Sequence, residues 1–189
     1  MKKYNSKLAA VDIAECALFT ALMVAGAYIE IPIPIMPITF QTVISVCAGL
    51  MLGWKKGMIS MSAYAILGLL GIPVFTQGGG IFYVLKPSFG YILGFIAAAG
   101  VAGIAYRRPK KIWLLIILAL AATVADYVFG VLYFIAVWSL SGYEALWQSV
   151  TAYNLIYLPK DLILAVLAAC LARVVTPAII SMHGKIKGN

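Results

Sequence analysis

The sequence predicts an all-α membrane protein with six transmembrane helices and with both termini in the cytoplasm. Of its 189 residues, 64% are hydrophobic and only 11% are charged, and the mean hydropathy is +1.03. A soluble domain carries roughly 25% charged residues, so this composition fits lipid as the surrounding solvent. The length fits one integral-membrane domain, residues 1–189, that crosses the cell membrane several times.

Six apolar segments define the predicted spans. They are 11–29, 40–54, 57–71, 88–106, 112–138 and 153–175. A helix needs about 20 residues to cross the hydrocarbon core, and the second and third segments are short for this. For that pair we therefore keep tilting, a five-span count or a re-entrant arrangement as alternatives.

The basic residues alternate with these segments. All but two of the 14 lysines and arginines lie near the termini, in the turn 54–57 or in the connection 107–111. The other three connections contain one basic residue, Lys86, and span residues 30–39, 72–87 and 139–152. Basic loops stay on the cytoplasmic side, so six spans satisfy this rule at every turn. The net charge of +8 thus reports topology and does not indicate nucleic-acid binding.

The densest polar cluster inside a predicted span lies near the outer end of the last one. Asn154, Tyr157 and Asp161 fall on one helical stripe, and Lys160 lies beside Tyr157 at i+3. Ionisable groups inside a bilayer are costly and need a partner or a function. Adjacent side chains on a helix point about 100° apart, so we expect Lys160 and Asp161 to address different parts of a polar ligand. The alternative is a self-neutralising pair at the helix end.

A second candidate site is the outer loop that contains three consecutive glycines, Gly78, Gly79 and Gly80. Glycines let backbone amides approach a ligand closely, although a flexible turn is the alternative interpretation. The loop is not a nucleotide-binding loop, because the sequence lacks the G-x-x-x-x-G-K-[ST] pattern.

Asp126 should lie about 21 Å into the fifth span, counted from Ile112. We expect it to be a hydrogen-bonding hub, with proton transfer as the alternative. His183, the single histidine, is given no chemical role. Enzyme motifs and metal-ligand spacings are absent from the sequence, so we predict neither catalysis nor a metal site. If the protein moves a solute against a gradient, the energy would have to come from a partner or from an ion.

Small residues form a stripe along the first span at i+3 and i+4 steps. They are Ala10, Ala14, Ala17, Ala21 and Ala25. Small residues let membrane helices approach closely, either inside the protein or against another subunit. Two shorter glycine pairs, Gly49 with Gly53 and Gly90 with Gly94, are interpreted as internal contacts.

Four segments along the chain share a common pattern with a known family. Residues 37–42 read PITFQT, 71–80 read GIPVFTQGGG, 86–95 read KPSFGYILGF and 158–162 read LPKDL. Together they resemble the BioY family, the biotin-specific substrate-binding subunits (S components) of energy-coupling-factor (ECF) transporters. The resemblance covers essentially the whole chain.

The resemblance implies a subunit that captures biotin from outside and associates with a transmembrane coupling subunit and two ATPase subunits. It implies no enzyme activity in this chain and no cofactor, since biotin is the cargo. The segment Ala17–Ala21 resembles the contact with the coupling subunit, which gives a docking set of Ala14, Ala17, Ala21 and Ala25. The alternatives are the same architecture with another vitamin, or an ion-driven transporter that uses Asp126.

The resemblance also suggests how biotin would be held. Asp161 would accept from the ureido N–H groups, while Asn154, Gln77 or Lys160 would donate to the ureido carbonyl. The biotin carboxylate would meet Lys86, Lys160 or the N–H groups of Gly78–Gly80. The other residues assigned to the site are Phe40, Gln41, Phe75, Tyr83 and Tyr157.

One departure concerns the cation of the last span. Many relatives carry a lysine three residues after the aspartate, where this chain has Leu164. Here the lysine precedes the aspartate as Lys160, so the role of the cation carries over least directly.

Overall fold

The computed structural model describes residues 6–32, 37–106, 111–140 and 146–188. These residues form six α-helices, which are α1 (Ser6–Tyr28), α2 (Gln41–Leu52), α3 (Trp54–Leu69), α4 (Phe89–Ala102), α5 (Ile112–Leu140) and α6 (Leu146–Gly188). Two short 3₁₀-helices, Ile81–Leu85 and Gly103–Ala105, lie on either side of α4. The predicted all-α class is confirmed.

Three of the helices are long and apolar enough to cross a membrane. They contain the stretches Ala9–Tyr28, Ile112–Leu140 and Val150–Ile186, while α2 and α4 are shorter apolar helices. Each predicted segment overlaps one helix, but the predicted bounds of the last segment are wrong. Helix α6 runs to Gly188, far beyond 175, because the polar end of the chain continues the helix and is bound to α1.

Helix α2 lies at the centre of the bundle. It packs against α1, α3, α4, α5 and α6, and its side chains at Val46, Ala48 and Leu50 are completely buried. Large apolar side chains on the outer surfaces of α5 and α6, such as Leu132 and Ile163, are about two-thirds exposed. An apolar exterior of this kind suits contact with lipid.

A single residue, Gly53, separates α2 from α3. Its φ of +85° is a conformation that side-chain-bearing residues rarely adopt, and its N–H donates to the carbonyl of Gly49. A Cβ at Gly49 would lie 2.3 Å from the carbonyl oxygen of Ala99, and one at Gly90 would lie 2.3 Å from the Cβ of Tyr133. The interpretation of the glycine pairs as internal contacts is therefore confirmed.

Charged side chains tie three helices together at the end of the bundle that carries the α2–α3 turn. Lys56 Nζ lies 3.0 Å from Asp12 Oδ1 and 2.5 Å from Glu15 Oε2. His183 Nε2 lies 3.2 Å from the same Asp12 oxygen. His183, to which the sequence assigns no role, therefore lies beside Asp12 and Glu15, because the long α6 returns it to α1.

A candidate ligand-binding pocket

A pocket lies at the opposite end of the bundle from the basic α2–α3 turn. Its volume is about 590 Å³, counting the space that opens to solvent. The described residues that line it are Pro37, Thr39, Gln41, Thr42, Tyr64, Phe75, Thr76, Tyr83, Ser88, Tyr91, Ile92, Phe95, Tyr127, Tyr157, Lys160 and Asp161. Binding sites for small molecules are commonly lined mostly by apolar groups with a few placed polar groups, and this lining has that character.

Asp161 is the buried carboxylate of the pocket, with 4% of its surface exposed. Its Oδ2 accepts a hydrogen bond of 2.7 Å from the hydroxyl of Tyr127 on α5. Its Oδ1 lies 2.8 Å from Lys160 Nζ. The two groups form an ion pair, but their geometry is not that of a hydrogen bond. The carboxylate is therefore held from two sides, and Asp161 lines the pocket.

The expectation that Lys160 and Asp161 point apart is wrong. The four-carbon stem of Lys160 bends its ammonium back to the carboxylate, although the two Cα–Cβ bonds diverge. The ammonium also donates to the carbonyl oxygen of Thr39 and lies 5.8 Å from the centre of the Phe40 ring. Lys160 thus ties the outer part of α6 to the segment that precedes α2.

Aromatic rings form one wall of the pocket. The ring of Phe75, which is 1% exposed, lies 5.3 Å from that of Tyr64 and 4.5 Å from that of Tyr83, centre to centre. Gln41 Nε2 donates to the Tyr64 hydroxyl at 2.6 Å, and Tyr64 donates to the carbonyl of Val74. These bonds fix the loop that carries Phe75 against α2 and α3.

The glycine loop is folded by its own amides. Gly78 N–H donates to the carbonyl of Phe75, and Gly80 N–H donates to the carbonyl of Gly68. Two of the three amides expected to help a ligand carboxylate are therefore committed to protein acceptors. The glycines shape the loop that presents Phe75, and the use of the Gly79 amide as an anion donor stays a prediction.

Lys86 lies at the exposed rim of the same loop. Its ammonium donates to the backbone and side-chain oxygens of Gln77, at 3.2 and 3.1 Å. It also lies 4.7 Å from the centre of the Tyr83 ring, which lines the pocket. Lys86 is thus held next to the pocket wall without lining the cavity.

The structure brings together some of the predicted site residues and separates others. Six line the pocket, namely Gln41, Phe75, Tyr83, Tyr157, Lys160 and Asp161. Phe40, Lys86 and Asn154 contact residues of the pocket from outside its lining, and Gln77 accepts from Lys86 at the rim. Asn154, for example, accepts a hydrogen bond of 2.7 Å from the hydroxyl of Tyr91.

Several lining residues were not identified from the sequence. Tyr127 holds Asp161 from α5, and Thr42 and Thr39 come from the start of α2 and the segment before it. Tyr127 directly follows Asp126, and this acidic residue in an otherwise apolar span could have marked Tyr127 as a candidate site residue. The two threonines carry no periodic signal, because their position depends on how α2 packs.

Comparisons with known proteins agree on one family. The family described as the BioY family matches residues 1–181. The probable biotin transporter BioY of Lysinibacillus sphaericus is 48% identical over 111 residues, 59% of this chain and 55% of the relative. The probable biotin transporter BioY of Pyrococcus horikoshii is 42% identical over 100 residues, 52% of this chain and 62% of the relative. These two matches therefore span little more than half of each relative.

Longer matches extend over most of the chain. The biotin transporter BioY of Thermotoga maritima is 32% identical over 164 residues, 85% of this chain and 93% of the relative. A crystal structure described as the S-component for biotin from an ECF-type ABC transporter matches with a TM-score of 0.76 and 25% identity. That match covers 90% of this chain and 93% of the other. The chain belongs to the BioY family.

Proposed function

We propose that this protein is the biotin-binding S component of an ECF-type transporter, a single membrane domain with biotin as its cargo and no resident cofactor. The observation that carries the proposal is the buried Asp161, held by Tyr127 and Lys160 inside an aromatic-walled pocket. The names of the relatives and of the matching crystal structure support the same cargo. They describe transporters and not enzymes.

The pocket chemistry suits the bicyclic head of biotin. The ureido ring offers two N–H donors and one carbonyl acceptor, and Asp161 presents an acceptor that is already held in place. Donors for the ureido carbonyl are available on Lys160 and on the hydroxyls of the lining. The rings of Phe75, Tyr83 and Tyr157 offer apolar surface to the rest of the molecule.

The topology that we propose has six spans with both termini in the cytoplasm. Lys55 and Lys56 lie at the α2–α3 turn, and the pocket lies at the other end of the bundle. Basic turns stay cytoplasmic, so the pocket would open to the outside of the cell. The protein would then capture its ligand before it meets the energy-coupling subunits.

Titration of the detergent-solubilised protein with labelled biotin tests the proposal. Saturable binding should be displaced by unlabelled biotin and not by a panel of other vitamins. The variant Asp12→Asn removes a carboxylate at the far end of the bundle and should bind like the wild type. Absence of saturable binding in both proteins, or displacement by another vitamin, would contradict biotin as the cargo.

The two outer lysines should serve opposite ends of biotin. Lys160 contacts Asp161 and therefore lies at the ureido end, whereas Lys86 lies at the exposed rim, where the carboxylate tail would emerge. We expect Lys86→Ala to weaken biotin binding about three- to tenfold, since the rim is solvated and its charge is screened. The same variant should not weaken binding of biotin amide, which has no carboxylate.

Competition titrations with biotin and biotin amide measure this difference. Lys160→Ala should weaken both ligands to a similar extent, and Lys55→Ala, a lysine at the opposite end, should weaken neither. Equal losses for the two ligands in Lys86→Ala would assign the carboxylate to another group.

The partners that we propose are a transmembrane coupling subunit and two ATPase subunits, met through the alanine stripe of α1. Ala14, Ala17, Ala21 and Ala25 are all exposed in the isolated bundle, so they do not serve its internal packing. Their small side chains let another helix approach closely. An exposed stripe favours docking over the alternative of packing within the chain.

Ala17→Trp should leave biotin binding unchanged and reduce recovery of the coupling subunits with the tagged protein severalfold, because an indole would keep the helices apart. Co-purification from cells that express all subunits measures the effect. Val128→Trp, at an exposed site on α5, is the matched control and should assemble normally. Normal assembly of both variants would place the docking surface elsewhere.

A further inference from the structure

Asp126 is a completely buried carboxyl group outside the pocket lining. It projects from α5 between α2 and α4, and its Oδ2 lies 3.1 Å from the hydroxyl oxygen of Thr42. Thr42 itself lines the pocket. Asp126 thus makes one side-chain hydrogen bond among the described residues, which is less than the expected hub, and this bond connects it to the pocket wall.

The surroundings of Asp126 contain too little positive charge for two carboxylates. From α6, Asp161 and Lys160 act on it electrostatically, and Lys160 is already paired with Asp161. The α4 side contributes Gly94, whose missing side chain leaves room for Asp126 Oδ1, and the phenol of Tyr91. The ammonium of Lys160 therefore faces two carboxyl groups, those of Asp126 and Asp161, and its ion pair is with Asp161.

The second oxygen of Asp126 supports the same conclusion. Oδ1 is buried and has no hydrogen-bond partner among the described residues. An isolated buried carboxylate ion is far more costly than a neutral polar group that makes one good hydrogen bond. A neutral acid needs only the bond to Thr42, and its free oxygen is then an uncharged carbonyl.

We propose that Asp126 carries a proton and, as a neutral acid, positions the hydroxyl of Thr42 for the ligand. The O–H of Asp126 then donates to Thr42 Oγ1, since a separation of 3.1 Å fits a hydrogen bond in either direction. The hydroxyl hydrogen of Thr42 is released toward the pocket as a donor. Resting on the proposed function, we assign this donor to the ureido carbonyl of biotin.

Infrared spectroscopy tests the proton without any ligand. At neutral pH the wild type should show the carbonyl stretch of a protonated carboxylic acid, and Asp126→Asn should lack it. Asp12→Asn, which replaces an acid at the far end of the bundle, should keep the band. If Asp126→Asn leaves the carboxylic-acid region unchanged, Asp126 is ionised and the proposal is wrong, whatever the cargo of the protein is.

Biotin affinity tests the positioning of Thr42. Asp126→Asn should bind within about threefold of the wild type, because its amide N–H replaces the donated proton, whereas Asp126→Ala and Thr42→Val should each lose about tenfold. Thr42→Ser should restore binding. The double variant Asp126→Ala with Thr42→Val should lose no more than either single variant, because both remove the same interaction.

Three results would overturn this positioning role. The first is a loss of biotin affinity in Asp126→Asn as large as that in Asp126→Ala. The second is a loss in the double variant equal to the product of the two single losses, and the third is failure of Thr42→Ser to restore binding. If Asp126→Ala does not fold, the infrared result and the comparison of Asp126→Asn with Thr42→Val still test the proposed role of Asp126. Absence of biotin binding in the wild type would contradict the proposed cargo and leave the infrared test standing.

Discussion

Replacing Asp161 by asparagine should lower the affinity for biotin roughly 10- to 150-fold, which corresponds to about 1.5–3 kcal/mol for the loss of a charged acceptor. The carboxylate is buried and accepts from Tyr127, so an amide in its place cannot supply the same acceptors to both the phenol and the ligand. The substitution also leaves the ammonium of Lys160 without its counter-ion.

Equilibrium titration with labelled biotin measures this loss, with thermal unfolding followed in parallel. Tyr127→Phe removes only the hydroxyl that holds Asp161, and it should give a smaller loss of about three- to tenfold. Asp12→Asn, the same change at the other end of the bundle, should leave the affinity unaltered. Wild-type affinity in Asp161→Asn would remove this residue from the ligand contacts.

Gly94→Ala should destabilise the protein by about 1–3 kcal/mol, because a Cβ at this position overlaps groups that cannot move aside. The added atom would lie 2.2 Å from Asp126 Oδ1 and 2.7 Å from the backbone oxygen of Asp126. Helices α4 and α5, which form the most extensive helix pair of the bundle, would have to separate. This cost outweighs the gain of about 1 kcal/mol that alanine normally brings to a helix interior.

Gly100→Ala provides the matched control on the same helix. A Cβ there would lie 3.1 Å from the sulfur of Met58, the end of a flexible side chain that can move. Thermal unfolding in detergent should therefore show a lower midpoint for Gly94→Ala and a midpoint near the wild type for Gly100→Ala. A Gly94→Ala midpoint at or above that of Gly100→Ala would contradict the close α4–α5 contact.

Much of the fold follows from hydropathy and charge, because a membrane leaves a chain few ways to satisfy its backbone. The apolar segments locate all six described helices, and the basic turn marks the α2–α3 connection. The extension of α6 could not be predicted in this way. Its polar end has no apolar periodicity, and its contact with α1 pairs His183 with Asp12, residues far apart in the sequence.

The candidate site was predictable where it follows the spacing of one helix. Tyr157 and Asp161 share a helical stripe, and both line the pocket. The contributions of Thr42 and Tyr127 depend on how helices pack, which spacing along one helix does not contain. The bend of Lys160 toward its neighbour was missed because directions of Cα–Cβ bonds do not fix the end of a long side chain.

The one-residue connection at Gly53 has a consequence for biosynthesis. Helices α2 and α3 contain 12 and 16 residues, and they rise only about 18 and 24 Å, less than the thickness of the hydrocarbon core. Gln41 and Thr42 would meet acyl chains if α2 entered alone. We therefore expect the two helices to be inserted together as a hairpin and to settle once α5 and α6, synthesised later, enclose them.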